Sequence, residues 1–253
     1  MIRAENIVKK FGDDIILKGI STTFERGKTN LVIGRSGSGK TVMLKCLVGL
    51  HTPDSGNIYF EDREIHDMSD DEKRKLREDT GMLFQGGALF DSMNIEENVM
   101  FPLRMFTKKS RPEKLARVNE VLKRVDLENV NKKYPSEISG GMKKRVSIAR
   151  AIVNKPKYLF CDEPNSGLDP KTASLIDNMI LEITKENNIT TIVVTHDMNS
   201  VMEIGEKIVF LKDGTLVWEG NKHIIFQTDN KDVTNFVYSS DLFKKIRDIQ
   251  LKG

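Results

Sequence analysis

The chain has only two cysteines and one tryptophan, and no run of apolar residues approaches the roughly 20 that a helix needs to cross a bilayer. Cys46 and Cys161 sit in segments whose apolar neighbours predict burial. They read as reduced core thiols of a cytosolic protein, not as a disulfide or metal ligands. The start, Met1-Ile2-Arg3-Ala4-Glu5, carries an acid and lacks the apolar stretch of a secretory leader, so the expectation is a soluble chain that is not exported. A surplus of one charge is also missing: 40 basic residues face 37 acidic ones, interleaved along most of the length, which argues against a nucleic-acid surface. Neither an internal repeat nor a low-complexity linker interrupts the sequence. What remains is 253 residues, 38% hydrophobic and 30% charged, enough for one large α/β domain with a substantial core.

The densest signal is Gly34-Arg35-Ser36-Gly37-Ser38-Gly39-Lys40-Thr41. It follows a β-prone run, Thr29 to Ile33, and precedes Val42 to Leu50, whose apolar residues recur at helical spacing. Strand, loop, helix is the context a phosphate loop requires, because glycines let successive backbone N–H groups point at phosphate oxygens. The helix starting near Lys40 adds free N–H groups and the positive end of its dipole. Lys40 is placed to reach the β- and γ-phosphates, and the Thr41 hydroxyl to ligate Mg²⁺. A glycine-rich turn that merely joins strand to helix is the bland alternative, and the full motif in the right context outweighs it.

A second element is the apolar run Tyr158-Leu159-Phe160-Cys161, which ends in Asp162-Glu163-Pro164. Two carboxylates directly after a buried strand are costly unless they face a metal and a water at the strand's carboxyl end. Asp162 fits the residue that holds a Mg²⁺ shell, and Glu163 the base that polarises an attacking water. A phosphate loop alone also suits a small kinase or a GTPase.

Ile138-Ser139-Gly140-Gly141-Met142 argues against both. It resembles the Leu-Ser-Gly-Gly-Gln signature of the ATP-binding cassette (ABC) ATPases, and the resemblance extends over nearly the whole chain. Physically, the serine and glycines open a helix, Met142 to about Val153, and so present a hydroxyl and a helix N-terminus to an anion. The resemblance implies that this anion is the γ-phosphate bound by the other subunit. The active unit is then a homodimer with two composite ATP sites that use Mg²⁺, serving integral-membrane permease subunits. It also implies the fold: an α/β P-loop cassette with a RecA-like core, an antiparallel β-subdomain and a helical subdomain at about 87–153, all within residues 1–226. Residues 227–253 form a C-terminal extension.

Further positions follow from the same resemblance. Gln85 matches the glutamine that senses Mg²⁺ and couples to the membrane partner; His196 matches the histidine that contacts the γ-phosphate. Ser166-Gly167-Leu168-Asp169 resembles the loop through which the two sites communicate. Phe11 sits where the family places an aromatic ring against adenine, although it equally suits a core position. Two departures stand out: Met142 cannot make the amide hydrogen bonds of the usual glutamine, and Asn165 replaces a frequent threonine.

Residues 1 to about 33 read as antiparallel strands with turns at Phe11-Gly12-Asp13 and Glu25-Arg26-Gly27, and from about Gly87 the periodicity turns helical. Ser110-Arg111-Pro112-Glu113 has capping-box spacing. Asp213-Gly214 predicts a hairpin turn. After Asp229, Phe236, Leu242, Phe243, Ile246 and Ile249 among lysines and acids suggest an amphipathic helix, packed on its own domain or gripping the other subunit.

Leu83-Phe84-Gln85-Gly86-Gly87-Ala88-Leu89-Phe90-Asp91-Ser92-Met93, Met142 and the stretch from Glu97 to Leu103 resemble the ATPases of intermembrane phospholipid transport. These serve the maintenance-of-lipid-asymmetry and mammalian-cell-entry systems. The expectation is an ATPase on the cytoplasmic face of the inner membrane, with accessory lipid-binding proteins as possible partners. A solute importer is the alternative, and a soluble cassette protein of translation or DNA repair a more distant one.

Overall fold

A computed structural model of the protein describes residues 1–239. The chain opens with β1 (Ile2–Phe11) and β2 (Asp14–Phe24), then β3 (Thr29–Ile33), the phosphate loop and α1 (Lys40–Leu47). β4 (Ser55–Phe60), β5 (Arg63–Glu64), α2 (Asp70–Glu78) and β6 (Thr80–Leu83) follow. Next come α3 (Ile95–Phe106), α4 (Arg111–Arg124), a 3₁₀ turn at Pro135–Glu137, α5 (Gly140–Ile152) and β7 (Tyr158–Asp162). The described chain finishes with α6 (Pro170–Asn187), β8 (Thr190–Thr195), α7 (Met198–Ile204), β9 (Lys207–Lys212), β10 (Thr215–Gly220) and α8 (Lys231–Val237).

These strands make two sheets, ordered β2-β1-β4-β5 and β10-β9-β3-β8-β7-β6. In the second, β9, β3, β8, β7 and β6 run parallel and β10 returns antiparallel. Every residue of β3, β7 and β8 is buried, as expected of parallel strands covered on both faces. Alternate side chains enter different cores. Leu31 and Ile33 of β3 pack with the helices α3 to α7, whereas Val32 packs with α1 and the antiparallel sheet.

One boundary differs from the sequence reading. Thr29 to Ile33 is not part of the antiparallel sheet of β1, β2, β4 and β5 but lies inside the parallel one, where all five residues are buried, Leu31 and Ile33 in one core and Val32 in the other. The helical periodicity expected from about Gly87 is likewise realised only from Ile95, where α3 starts. Residues 87–94 are not helical, and Gly87 and Ala88 both have positive φ (79° and 47°), which a right-handed helix does not admit. Asn98, fully buried in α3, pins this loop: its Nδ2 donates to the Phe90, Met93 and Asn94 carbonyls, and its Oδ1 accepts from Phe90 N.

The expected Ser110–Glu113 capping box and the Asp213-Gly214 turn are both present. Cys46 and Cys161 are buried free thiols, and burial pushes Cys46 up to about 11. α8 packs on its own domain, with Phe236 5.2 Å from the Phe210 ring. Leu242, Phe243, Ile246 and Ile249 lie outside the described residues.

Asp177 of α6 is only 2% exposed, facing Ser200 and Glu203 of α7. Burial pushes its carboxyl up to about 6, and the nearby Glu203 and Asp197 push the same way against hydrogen bonds from Ser200 and Asn165. A carboxyl raised in the folded state contributes stability fully present below the unfolded value and lost as pH rises through about 6. Asp177→Asn is therefore expected to raise Tm at pH 7.5 by roughly 3–8 °C, with the gain shrinking toward pH 4.5. Thermal unfolding at both pH values checks this; a gain independent of pH contradicts it.

Candidate nucleotide site

Sheet register assembles the site. Ile33 at the end of β3 pairs with Thr195 of β8, Val194 pairs with Asp162 of β7, and Cys161 pairs with Leu83 of β6. The segments that follow these four strands therefore converge on one carboxyl edge, bringing together the loop after Ile33, Gln85, Asp162, Glu163 and His196.

The loop from Gly34 to Thr41 wraps the N-terminus of α1. Gly39 takes the N-cap position at φ 97°, and a Cβ there would lie 2.8 Å from Leu17 Cδ2 of β2, so glycine is required. No side chain caps α1 and no acid stands in its first turn, which leaves its N–H groups open to an anion. Lys40 is 6% exposed; its Nζ donates to the Gly34 and Arg35 carbonyls at 3.0 Å each. Burial holds it below the ordinary lysine range, against the pull of Glu163 and Asp162. The buried Ser38 hydroxyl has no hydrogen-bond partner among the described residues.

Thr41 Oγ1 donates to Asp162 Oδ1 at 3.1 Å. Burial pushes the Asp162 carboxyl above its ordinary value, with the Thr41 hydrogen bond opposing. A desolvated carboxylate beside a hydroxyl is a hard-oxygen donor set that suits a small divalent cation such as Mg²⁺. The amide of Gln85 reaches the same edge.

Glu163 is gripped at both oxygens. Gln85 Nε2 donates to Oε2 at 2.9 Å, and His196 Nδ1 lies 3.0 Å from Oε1. Its backbone is left-handed at φ 45°, a conformation a glutamate rarely adopts without a surrounding structure that enforces it. A cavity of about 880 Å³ opens over this arrangement, lined by Arg35, Lys40, Thr41, Gln85, Glu163 and His196. That volume suits a nucleotide-sized ligand.

Phe11 stands on the cavity's rim, 45% exposed, with its ring 5.3 Å from that of His51. The core alternative for Phe11 therefore fails. Phe11→Ala is expected to weaken ATP binding about 5- to 50-fold, and Phe11→Tyr to preserve it. Titration calorimetry with ATP measures this; an unchanged Kd removes Phe11 from the base-binding role.

Ser139 and Gly140 are exposed and Gly141 half-buried at the N-terminus of α5, where Ser139 Oγ accepts from Met142 N at 3.3 Å. None of these three lines the phosphate-loop cavity. The other sequence candidates come together within one chain. Sequence reading missed four further lining residues: Ile16 of β2, Val42 of α1, Phe236 of α8 and Ser239 just beyond it. Phe236 shows in the sequence only as one apolar position of an amphipathic pattern, which signals packing but not proximity to the loop.

Comparison with known proteins agrees with this geometry. The ABC transporter family model matches residues 17–166. A methionine import ATP-binding protein, MetN, of Clostridium tetani is 46% identical over 217 residues, covering 86% of this chain and 68% of the relative. A probable ribonucleotide transport ATP-binding protein, mkl, of Mycobacterium tuberculosis is 38% identical over 236 residues, 93% of this chain and 66% of that protein. Among solved structures, the dimeric post-hydrolysis state of the ATP-binding cassette MJ0796 bound to ADP and Pi superposes with a TM-score of 0.80. It shares 35% identity over 88% of this chain and 99% of that one. The fold, the phosphate loop with its carboxylate strand and these similarities establish that the chain belongs to the ABC transporter family of ATP-hydrolysing cassettes.

Proposed function

We propose that two copies of this chain form two composite ATP sites on the cytoplasmic face of a membrane and power a permease that imports a small solute. The observation that carries the composite site is the placement of Ser139 to Gly141: a helix N-terminus, capped by Ser139, that faces solvent and lies outside the lining of the chain's own phosphate-loop cavity. A second copy of the chain supplies the missing half of each site, as the dimeric MJ0796 cassette illustrates for a relative.

In this reading Gly34 to Thr41 bind the triphosphate through backbone N–H groups, with Lys40 turning from the loop carbonyls to the β- and γ-phosphates. Thr41, Asp162 and Gln85 would hold Mg²⁺, which when bound draws charge from the phosphate oxygens. Glu163 accepts a proton from the water that attacks the γ-phosphate, and His196 and Gln85 orient its carboxylate. The partner's Ser139 hydroxyl and helix N-terminus close the site over the γ-phosphate.

No helix among the described residues is long and apolar enough to cross a membrane, so coupling needs a surface for a membrane partner. An apolar groove of about 350 Å³ between the β6 edge and α3 supplies one. Phe84, Phe90 and Met105 stand exposed around it, with Phe101 and Pro102 at its wall.

For the cargo, the names of the relatives described above, methionine import and ribonucleotide transport, favour a small solute. A second reading, phospholipid trafficking with lipid-binding accessory proteins, is supported by three features only: the stretch from Leu83 to Met93, the stretch from Glu97 to Leu103, and Met142. Cells carrying Lys40→Ala separate the two. Loss of uptake of a labelled solute such as methionine, with envelope lipids unchanged, supports import. Phospholipid accumulating in the outer leaflet of an outer membrane, with detergent sensitivity and normal uptake, would replace it with the lipid reading.

A further inference from the structure

The helix that begins at the signature also holds the loop that carries Gln85. Lys144, Ser147 and Arg150 recur every three residues on α5 and share one stripe of it, and all three are buried. Each brings a donor to a backbone carbonyl of the segment after β6. Lys144 Nζ donates to Gln85 O, and the single proton of Ser147 Oγ is shared between Gly87 O at 3.1 Å and Lys143 O of its own helix at 2.9 Å. Arg150 donates through Nη2 to Gly87 O at 2.7 Å and through Nη1 to Ala88 O at 2.8 Å.

The loop is shaped for this grip. Consecutive left-handed residues, Gly87 and Ala88, turn these carbonyls toward the helix. The fit at Gly87 is close, since a Cβ there would come 2.9 Å from Ser147 Oγ. Burying a guanidinium and an ammonium against neutral carbonyls is costly: desolvation holds both Lys144 and Arg150 below their ordinary values. Hydrophobic residues at these three positions would serve packing alone at lower cost. The other end of the same segment is the Gln85 amide, bonded to Glu163. Arg150 and Ala88 also line the apolar groove beside α3, so a segment seated there would touch the same clamp.

We propose that Lys144, Ser147 and Arg150 are positioning residues that lock the Gln85–Ala88 segment to α5, so that what docks at Ser139 sets the placement of Gln85 against Glu163 in the same subunit. The inference rests on the composite-site reading of Ser139. Movement of α5 by the partner's nucleotide at one end thereby becomes movement of Gln85 in the chain's own site at the other, linking the two sites of a dimer through one helix.

The test is a double-mutant cycle in the full-length protein, with kcat and KM for ATP measured separately. Arg150→Met is expected to lower kcat at least about 10-fold and Ser147→Ala about 3-fold, each with KM within about twofold of the parent. Arg150→Lys, which keeps a cation and one carbonyl bond, is expected to recover part of the loss. Adding either Arg150→Met or Ser147→Ala to Gln85→Ala should lower kcat by less than about twofold further, because the positioning then has nothing to position. Should Arg150→Met prove unstable in thermal unfolding, Ser147→Ala, which removes one neutral hydroxyl shared between the Gly87 and Lys143 carbonyls, answers alone. Losses that multiply in the Gln85→Ala background overturn the inference and leave the composite site standing. The composite reading fails separately, if Ser139→Arg hydrolyses ATP like the parent.

Discussion

Glu163→Gln is expected to lower ATP turnover by about 10²–10⁴-fold while leaving ATP affinity within about twofold of the parent. The substitution keeps the length and one oxygen of the side chain, so contacts toward Gln85 and His196 are altered but the left-handed backbone at φ 45° stays in place. What is lost is the acceptor for the proton of the attacking water. The phosphate loop, Lys40 and the Thr41–Asp162 pair are untouched, so binding persists while hydrolysis stalls. A stalled, ATP-loaded site holds its two halves together. The variant should therefore elute as a dimer in ATP and Mg²⁺ on size-exclusion chromatography, where the parent returns to monomer as ATP is consumed. Near-normal turnover removes Glu163 from the role of base.

Ser139→Arg is expected to abolish hydrolysis while each monomer still binds ATP. In the proposed dimer the new side chain places bulk where the partner's γ-phosphate would dock, and it removes the hydroxyl that caps α5 through Met142 N. Losing the cap costs about 1 kcal/mol, too little to unfold the chain. The chain's own phosphate loop lies elsewhere, so ATP affinity of the monomer should hold within about twofold. Light scattering with ATP should show no dimer. Together the two variants separate the halves of the site: one blocks the chemistry after assembly, the other blocks assembly.

Much of this was legible in the sequence, and unevenly so. Gly34 to Thr41 and the carboxylates after Cys161 announce themselves because their spacing is dictated by phosphate and metal chemistry. The β-prone run Thr29–Ile33 and the β-branched run Thr190–Thr195 likewise give strands at their exact bounds, since runs with apolar residues toward both faces fit the middle of a sheet. Pairing is less visible. Nothing local in Thr29–Ile33 tells whether it joins the antiparallel strands before it or the parallel strands far beyond it; cover from α1 and α6 decides. The start of α3 at Ile95 was hidden for a related reason: Ala88 has positive φ, which alanine does not favour by itself, and its carbonyl accepts from Arg150 of α5, a tertiary contact. The approach of α8 to the nucleotide cavity is a tertiary fact that amphipathic spacing at Phe236 cannot convey.

The central claim, that each ATP site is built from two chains, is tested most directly by mixing two inactive variants. Lys40→Ala disables a phosphate loop and leaves Ser139 intact; Ser139→Arg does the reverse. If sites are shared, a mixed dimer contains one site with both defects and one with neither, the intact one pairing the loop of the Ser139→Arg chain with the signature of the Lys40→Ala chain. Mixing equal amounts should then restore hydrolysis that neither variant has alone, up to about half of the parent, since each mixed dimer holds one working site of two. If the mixture stays as inactive as its components, although mixed dimers form, each chain builds its site alone and the account is wrong.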